Sequence, residues 1–331
     1  MRNRLLGPAV IAATLMLAAA PATAQPLPVK WVTMFDSQFK GHPNVVIPAY
    51  HVNFITSQQA TAVATIGARS RLAMVLAGVD EPVMRKLTDE AYADLKAQFA
   101  AAGIGVVSEA DAQALVAATG LERIPGNMAT AGGGAGITIG KSLRRGFVTF
   151  GATQAPALNA YRLAEAQAGL GAAMANASAV SNSGKFAKPA WALDANVVIP
   201  SLTINFAEME ASTGSGMFGA TANASGAVKF MIDVDSPTTT LNPTLNGRSA
   251  NPGGLRPAKN VVWGTPFATV EKGGAQVRSM GTWTDENYQT VARARGDAVV
   301  VDLPVWEGLV RDAYRSYNAA LVAAVVKVVK K

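Results

Sequence analysis

NVVIPAYHVNF at 44–54 returns as NVVIPSLTINF at 196–206, with seven identical positions and Val52 exchanged for the kindred Ile204. Each copy opens on Val-Val-Ile, a buried strand entry, passes through a proline and continues as an apolar/polar alternation of period two. The chain therefore builds the same kind of strand twice. Two equivalent apolar strands in one core belong to one sheet, so the repeat predicts 45–54 and 197–206 as neighbouring strands of a single central sheet. Their placement in different domains would instead mark a tandem duplication. His51 aligns with Thr203, and the repeat thus assigns that histidine no chemistry of its own.

Outward from the first copy, LAMVLAGV within 71–79 predicts a second strand. Thr88 stands as an N-cap with Asp89 and Glu90 in the favourable first turn. Ala91, Leu95 and Phe99 then mark one helix face that Gly103 can end. A short strand follows at 104–107. Ser108-Glu109-Ala110-Asp111 opens a second helix in the manner of a capping box, and Gly120 closes it. This alternation of strand and helix predicts helices packed on a sheet. A Gly-rich interval at 126–136 interrupts it, with short strands expected at 137–139 and 147–150 around a basic turn, Arg144-Arg145. An Ala-rich stretch at 156–179 reads as a helix weakened by Gly169 and Gly171.

After the second copy, Leu202, Ile204 and Phe206 alternate with Thr203, Asn205 and Ala207. Val228, Phe230, Ile232 and Val234 alternate with Lys229, Met231, Asp233 and Asp235. The two runs predict an antiparallel hairpin, and the Gly/Ser/Ala-rich 211–226 between them is expected as a long, functional loop. Pro-, Asn- and Gly-rich 236–260 predicts an irregular excursion. A strand at 299–302 leads into a final helix from Pro304, with Leu309, Ala313, Tyr317, Ala320 and Ala324 on one face. The fold class is α/β (α+β): a mixed central sheet with flanking helices, a long antiparallel hairpin and a C-terminal helix. Residues 25–331 are read as a single α/β domain with insertions at about 121–146 and 236–260.

The first residues are set aside. Arg2 and Arg4 precede an apolar run at 5–20 that ends in Ala22-Thr23-Ala24, the pattern of a secretory signal peptide (1–24) cleaved after Ala24. The expected localisation is the periplasm, with outer-membrane association left open. With no cysteine in the chain, neither a disulfide scaffold nor a Cys-linked lipid anchor supports the fold, which rests on its hydrophobic core. The formal charge of +7 falls to +5 without Arg2 and Arg4. Its Lys and Arg are scattered, whereas a nucleic-acid surface needs a dense basic stripe, so no nucleic-acid partner is expected. The expected partner is another envelope protein or a second copy of the chain.

Several patterns imitate chemistry. AGITIGKS at 135–142 satisfies a loose phosphate-loop pattern, but that loop needs a strand before it and a helix after it, and Gly132-Gly133-Gly134 and Gly146-Phe147-Val148 supply neither. His42 and His51 have no Asp, Glu or Cys cluster at ligand spacing, and His51 reads as a hydrogen-bonded strand histidine. No G-x-S-x-G elbow is present. Asp233 and Asp235 share a strand face with Lys229, which predicts a solvated charged face. Asp80-Glu81 and Asp285-Glu286 read as loop or helix-start acids. No catalytic, cofactor-binding or metal-ligating residue is assigned, and no cofactor. Only a convergence of His51, Asp194 and Lys141 in one pocket would nominate an enzyme.

NVVIPAYHVNF, LTDEAYADLKAQFAAAGIGVVSEADAQAL at 87–115, LDANVVIPSLTINFAEME at 193–210 and GAVKFMIDVD at 226–235 together resemble the periplasmic domain of the curli-secretion-channel (CsgG-like) group. That group shares its α/β architecture with the amino-terminal domain of the translocation protein TolB. The resemblance covers 44–120 and 190–240. Departures are the missing lipidated cysteine, the Gly-rich 126–146 insert and the lack of a pair of membrane-spanning hairpins. It implies a non-enzymatic envelope protein that binds or assembles. The alternatives are a subunit of an oligomeric outer-membrane pore, with 137–150 or 201–236 as its hairpins, and a periplasmic hydrolase or transferase whose site is gathered from distant loops.

Overall fold

In the computed structural model the chain is an α/β protein, and its described residues form two large mixed sheets, a two-stranded sheet and four α-helices. The structure describes residues 29–32, 42–64, 68–132, 140–161, 182, 184–216, 219–233, 239–242, 244–245, 248–249, 253–274 and 296–329. The expected signal peptide, the 137–139 strand, most of the Ala-rich 156–179 stretch, Asp235 and Asp285-Glu286 lie outside them.

In chain order the first strands are β1 (Val29–Val32), β2 (Asn44–Val46), β3 (His51–Val63), β4 (Arg69–Ala77) and β5 (Gly105–Val106). Strands β6 (Met128–Gly132), β7 (Lys141–Gly151), β8 (Ala195–Ile199), β9 (Ser201–Gly216) and β10 (Gly219–Ile232) follow. The last are β11 (Thr239–Asn242), β12 (Thr244–Leu245), β13 (Arg248–Ser249), β14 (Gly253–Pro257), β15 (Val261–Trp263), β16 (Ala268–Glu271) and β17 (Asp297–Val301). The helices are α1 (Glu81–Ala101), α2 (Glu109–Thr119), α3 (Ala187–Ala192) and α4 (Leu303–Val329).

The repeat forms the seam of the molecule. Its copies pair with each other in parallel twice, once in each sheet. In the six-stranded sheet β2 lies on β8, with Val45 opposite Asn196 and Val46 opposite Val197. In the nine-stranded sheet β3 lies on β9, with His51 opposite Ser201 and Phe54 opposite Ile204. Proline explains the step between sheets, because it cannot donate to a ladder and breaks a strand. Pro48 separates β2 from β3, and Pro200 separates β8 from β9. The copies are therefore neighbouring strands, as the sequence predicts, but they run through two sheets rather than one.

Helix α1 begins two turns earlier than Thr88. Asp80 caps it, accepting a hydrogen bond from the Val83 amide at 3.1 Å, and Pro82 in the first turn presets the backbone. Thr88 lies inside the helix, bonded to the Met84 carbonyl. In α2 the capping reading holds: the Ser108 hydroxyl accepts from the Asp111 amide at 3.2 Å, and Gly120 closes the helix at φ 65°. The buried residues Met84, Leu87, Ala91, Leu95 and Phe99 of α1, with Trp306, Leu309, Ala313 and Tyr317 of α4, cover the apolar face of the large sheet (Val52, Phe54, Val148, Phe150, Leu202, Ile204). A second cluster joins Val46, Val197 and Ile199 of the small sheet to Leu115 of α2 and Ala190 of α3.

Three expectations are corrected. The basic pair Arg144-Arg145 belongs to β7, which pairs with β3 along almost its whole length, and makes no turn. The Gly/Ser/Ala-rich 211–226 is not a loop: β9 and β10 stay paired out to Gly216 opposite Gly219. Small residues carry little strand propensity, and it is the continuous ladder that extends them. Within 236–260, β11 and β14 are ordered members of the small sheet, β11 lying between β8 and β14.

Candidate functional site

Hydrogen bonds close the seam at its amino-terminal entrance, at the sheet switch and at the fork beyond it. At the entrance, His42 and Asp194 occupy equivalent positions of the repeat and bond to each other, Nδ1 to Oδ1 at 2.6 Å. The identical asparagines reach across in opposite senses. Asn44 donates to the Asp194 carbonyl at 3.4 Å and Asn196 to the His42 carbonyl at 3.3 Å. Asp194 sits in the left-handed region at φ 49°, a conformation that asparagine and aspartate tolerate better than most residues. Trp191 packs edge-on against the His42 ring, centroids 4.9 Å apart.

At the switch, His51 is fully buried. The Leu158 amide donates to its Nε2 at 3.0 Å, so the ring proton sits on Nδ1 and is directed to the Pro200 carbonyl at 3.3 Å. Burial lowers its pKa to about 4, opposed by the bond to Pro200 and reinforced by the nearby Arg123 cation. The imidazole is neutral and both nitrogens are occupied by backbone, which fits a strap between β3, β9 and the 155–158 segment, not a general base. This agrees with the strand-histidine reading.

Helix α4 fastens both copies beside their prolines. The Tyr317 hydroxyl donates to the Ser201 carbonyl and accepts from the Ser201 amide, each at 3.0 Å. Tyr50 donates at 3.0 Å to Asn318, which in turn donates to the Ala91 carbonyl and to Asp94 on α1. Burial, with Tyr317 and Asp94 close by, holds the Tyr50 phenol well above its ordinary pKa. Arg123, half-buried in the loop after α2, donates to the carbonyls of Pro48 and Pro156 and to Gln113 Oε1. Burial lowers its pKa from the usual guanidinium value.

Beyond the switch the sheet forks. One edge of β3 pairs with β7 throughout; the other pairs with β9 at 51–54 and with β4 at 57–63. Strand β9 must therefore leave β3, and polar side chains cover the groups it abandons. Gln58 donates to the Ala207 carbonyl at 2.7 Å and to Asn205 Oδ1 at 2.6 Å. Asn205 donates to Asp233 at 2.9 Å, and Arg145 pairs with the same carboxylate oxygen at 3.2 Å. Asp233 is thus buried, at 1 % exposure, and does not belong to a solvated face. The irregularity of β10 between Val228 and Met231 breaks the alternation on which that expectation rested. A row of Asn53, Thr149, Ser201 and Thr203 continues the buried polar layer, Asn53 donating to the Ser201 and Thr203 hydroxyls and accepting from Thr149 at 2.6 Å.

The residues that could have nominated an enzyme do not converge. His51 is sealed at the switch, Asp194 is at the entrance and engaged with His42, and Lys141 opens β7, opposite Ala62. Ser142 also lies in that strand, so the phosphate-loop pattern is followed by a strand where a helix is required. Residues 133–139 of that pattern lie outside the described residues. Among the described residues no three His, Cys, Asp or Glu side chains group as metal ligands, and no helix is long and apolar enough to cross a membrane. Sequence reading missed Gln58, Arg123 and Arg145, because each acts on partners that only the fold brings near. No family model, curated protein or solved structure matches the chain.

The outer part of the β9–β10 hairpin is a long exposed ladder. From Glu208 opposite Ala227 to Gly216 opposite Gly219 it runs for nine residue pairs, about 30 Å at the usual strand rise. Glu210, Ser212, Gly214, Thr221, Asn223 and Ser225 are exposed on one face. On the other, Gly226 lies against Leu72 and Met74 of β4, and the Ala224 amide donates to Ser70 at 3.0 Å.

Proposed function

We propose that this chain is an exported cell-envelope protein that works by binding or assembly in the periplasm or at the outer membrane, with the β9–β10 hairpin as its contact. The observation that carries this reading is the hairpin itself. Its outer ladder presents Glu210, Ser212, Gly214, Thr221, Asn223 and Ser225 as a polar, exposed face, while its base is fixed by the Gln58, Asn205, Asp233 and Arg145 cluster. A rigid root beneath an exposed ladder suits recognition by another protein, since less conformational freedom is lost on binding. The resemblance to the curli-secretion-channel group supports the same class of role. Capture from envelope extract tests it. A variant lacking 210–225, with the strands rejoined by a short turn, is expected to fold and to lose the captured partner; capture equal to that of the intact chain would overturn the proposal.

A subunit of an outer-membrane pore is the second reading, favoured by one dimension. Nine residues per strand with period-two alternation is about what a membrane-spanning β-strand requires. Glu208 and Glu210 would then face water, and the Ala-rich face would leave β4. Cell fractionation with sizing in and out of detergent separates the two readings: a detergent-dependent oligomer in the outer membrane supports the pore, and a soluble periplasmic monomer contradicts it.

A further inference from the structure

Arg123 is costly as a purely structural residue. It is a half-buried guanidinium whose bonds go to two carbonyls and an amide oxygen, all neutral, and among the described residues no carboxylate pairs with it. A cation taken partly out of water and met only by neutral acceptors is undercompensated, and an anion beside it gains a charge-assisted bond. The same residue lines a cavity of about 720 Å³. Ile124, Pro125 and Met128 form apolar wall, Asn159 adds a polar group, and the exposed Glu122 stands at the rim. The cavity floor is fixed. The Ile124 amide bonds to the Ala157 carbonyl at 2.9 Å and the Asn159 amide to the Glu122 carbonyl at 3.0 Å. Asn127, held at φ 56°, ties the neighbouring turn to Gly151 and Ala157. An open cleft of this size, with apolar walls and Arg123 among its lining residues, has room for a small ligand.

We propose that this cavity binds a monocarboxylate with an apolar body, the carboxylate seated at Arg123 and the body against Ile124, Pro125 and Met128. Glu122 at the rim disfavours a second negative charge, so dicarboxylates are excluded. The shared chemistry admits a free short-chain acid or the carboxyl terminus of a peptide. This site is remote in sequence from the hairpin, and neither proposal rests on the other.

Titration calorimetry on the full chain tests it with hexanoate, hexan-1-ol and adipate as probes. Hexanoate is expected to bind saturably at one site, with hexan-1-ol and adipate at least about tenfold weaker, as for loss of one charge-assisted contact. Arg123→Gln keeps an amide donor for the Pro48 and Pro156 carbonyls, removes the charge, and is expected to weaken hexanoate by about tenfold or more. Met128→Trp fills the cavity without touching the charge and is expected to abolish binding while the thermal melt stays cooperative. If Arg123→Gln does not fold, Met128→Trp and the hexan-1-ol comparison decide alone. An N-acetylated dipeptide with a free carboxylate, beside its amide, separates the sources. Tighter binding than hexanoate assigns a peptide terminus, and weaker binding a free acid. Hexanoate that does not saturate, that binds no better than hexan-1-ol, or that is unaffected by Met128→Trp overturns the proposal.

Discussion

The two copies of the repeat are spelled alike and used differently. The first spends its polar positions on holding the seam shut: His51 straps β3 to the Pro200 carbonyl and to Leu158, and Asn53 bonds into β9 at Ser201, Leu202 and Thr203. In the second copy the equivalent of His51 is Thr203, which receives one of those bonds, and the equivalent of Asn53 is Asn205, which faces the fork and steadies Asp233. Apolar identity at Val45, Val46, Val197 and Val198 makes two interchangeable strands. Polar divergence gives each a separate task, and this teaches that a duplicated strand fixes architecture while its variable positions fix the joints.

Replacing each copy's own joint breaks the comparison most severely at His51. His51→Ala leaves the Leu158 amide and the Pro200 carbonyl without their side-chain partner and opens a buried void. A loss of about 4 kcal/mol in urea unfolding is expected, against about 1 kcal/mol for Thr203→Ala. Equal losses would mean that the copies do equal work.

Acid should reproduce much of this effect in the intact protein. Folded His51 titrates at about 4 and unfolded histidine near 6.5. Between those values the unfolded chain binds the proton and the folded chain does not, so stability is full above about pH 6.5 and falls as pH drops toward 4. The expected loss across that window is on the order of 3 kcal/mol, and His51→Gln should remove most of this slope in urea titrations run from pH 7 to 4. A slope that persists in His51→Gln would place the proton uptake elsewhere.

Smaller effects separate the two fastenings to α4. Tyr317→Phe removes both bonds to Ser201 and is expected to cost about 2 kcal/mol, while Tyr50→Phe removes one bond to Asn318 and about 1 kcal/mol. Hydrogen exchange should localise the first change to β9 and the second to the start of β3. At the entrance, Asp194→Asn keeps a residue suited to the left-handed backbone, removes the exposed carboxylate from His42 and should cost under about 1 kcal/mol. A larger cost would show that the clasp, and not the switch, governs the seam.

Much of this frame is legible in the sequence. The Val-Val-Ile runs read as strands and Ser108 with Gly120 delimits α2, because each signal is local, whereas the breaks at Pro48 and Pro200 went unread. The start of α1 was obscured by a competing cap at Thr88, whose neighbours Asp89 and Glu90 imitate a first turn. Parallel pairing, the step from sheet to sheet and the fork of β3 depend on contacts some 150 residues apart, which no periodicity encodes. The outer hairpin was hidden for a different reason: Gly, Ser and Ala signal a loop unless a ladder holds them. Asp233 looked solvated because strict alternation was assumed, and the β10 irregularity removes that assumption. Arg123 carries no local signal, since its partners at Pro48, Gln113 and Pro156 come from three separate segments.

Cysteine cross-linking tests the parallel seam most directly, because the chain has no cysteine to interfere. Asn44 pairs with Ala195, one residue short of its equivalent, Asn196, and in a strand adjacent residues face opposite sides. Under mild oxidation Asn44→Cys with Ala195→Cys is expected to form a disulfide readily, the paired positions lying within the reach of that bond, whereas Asn44→Cys with Asn196→Cys is not. A cross-link in the second pair and none in the first would contradict the account.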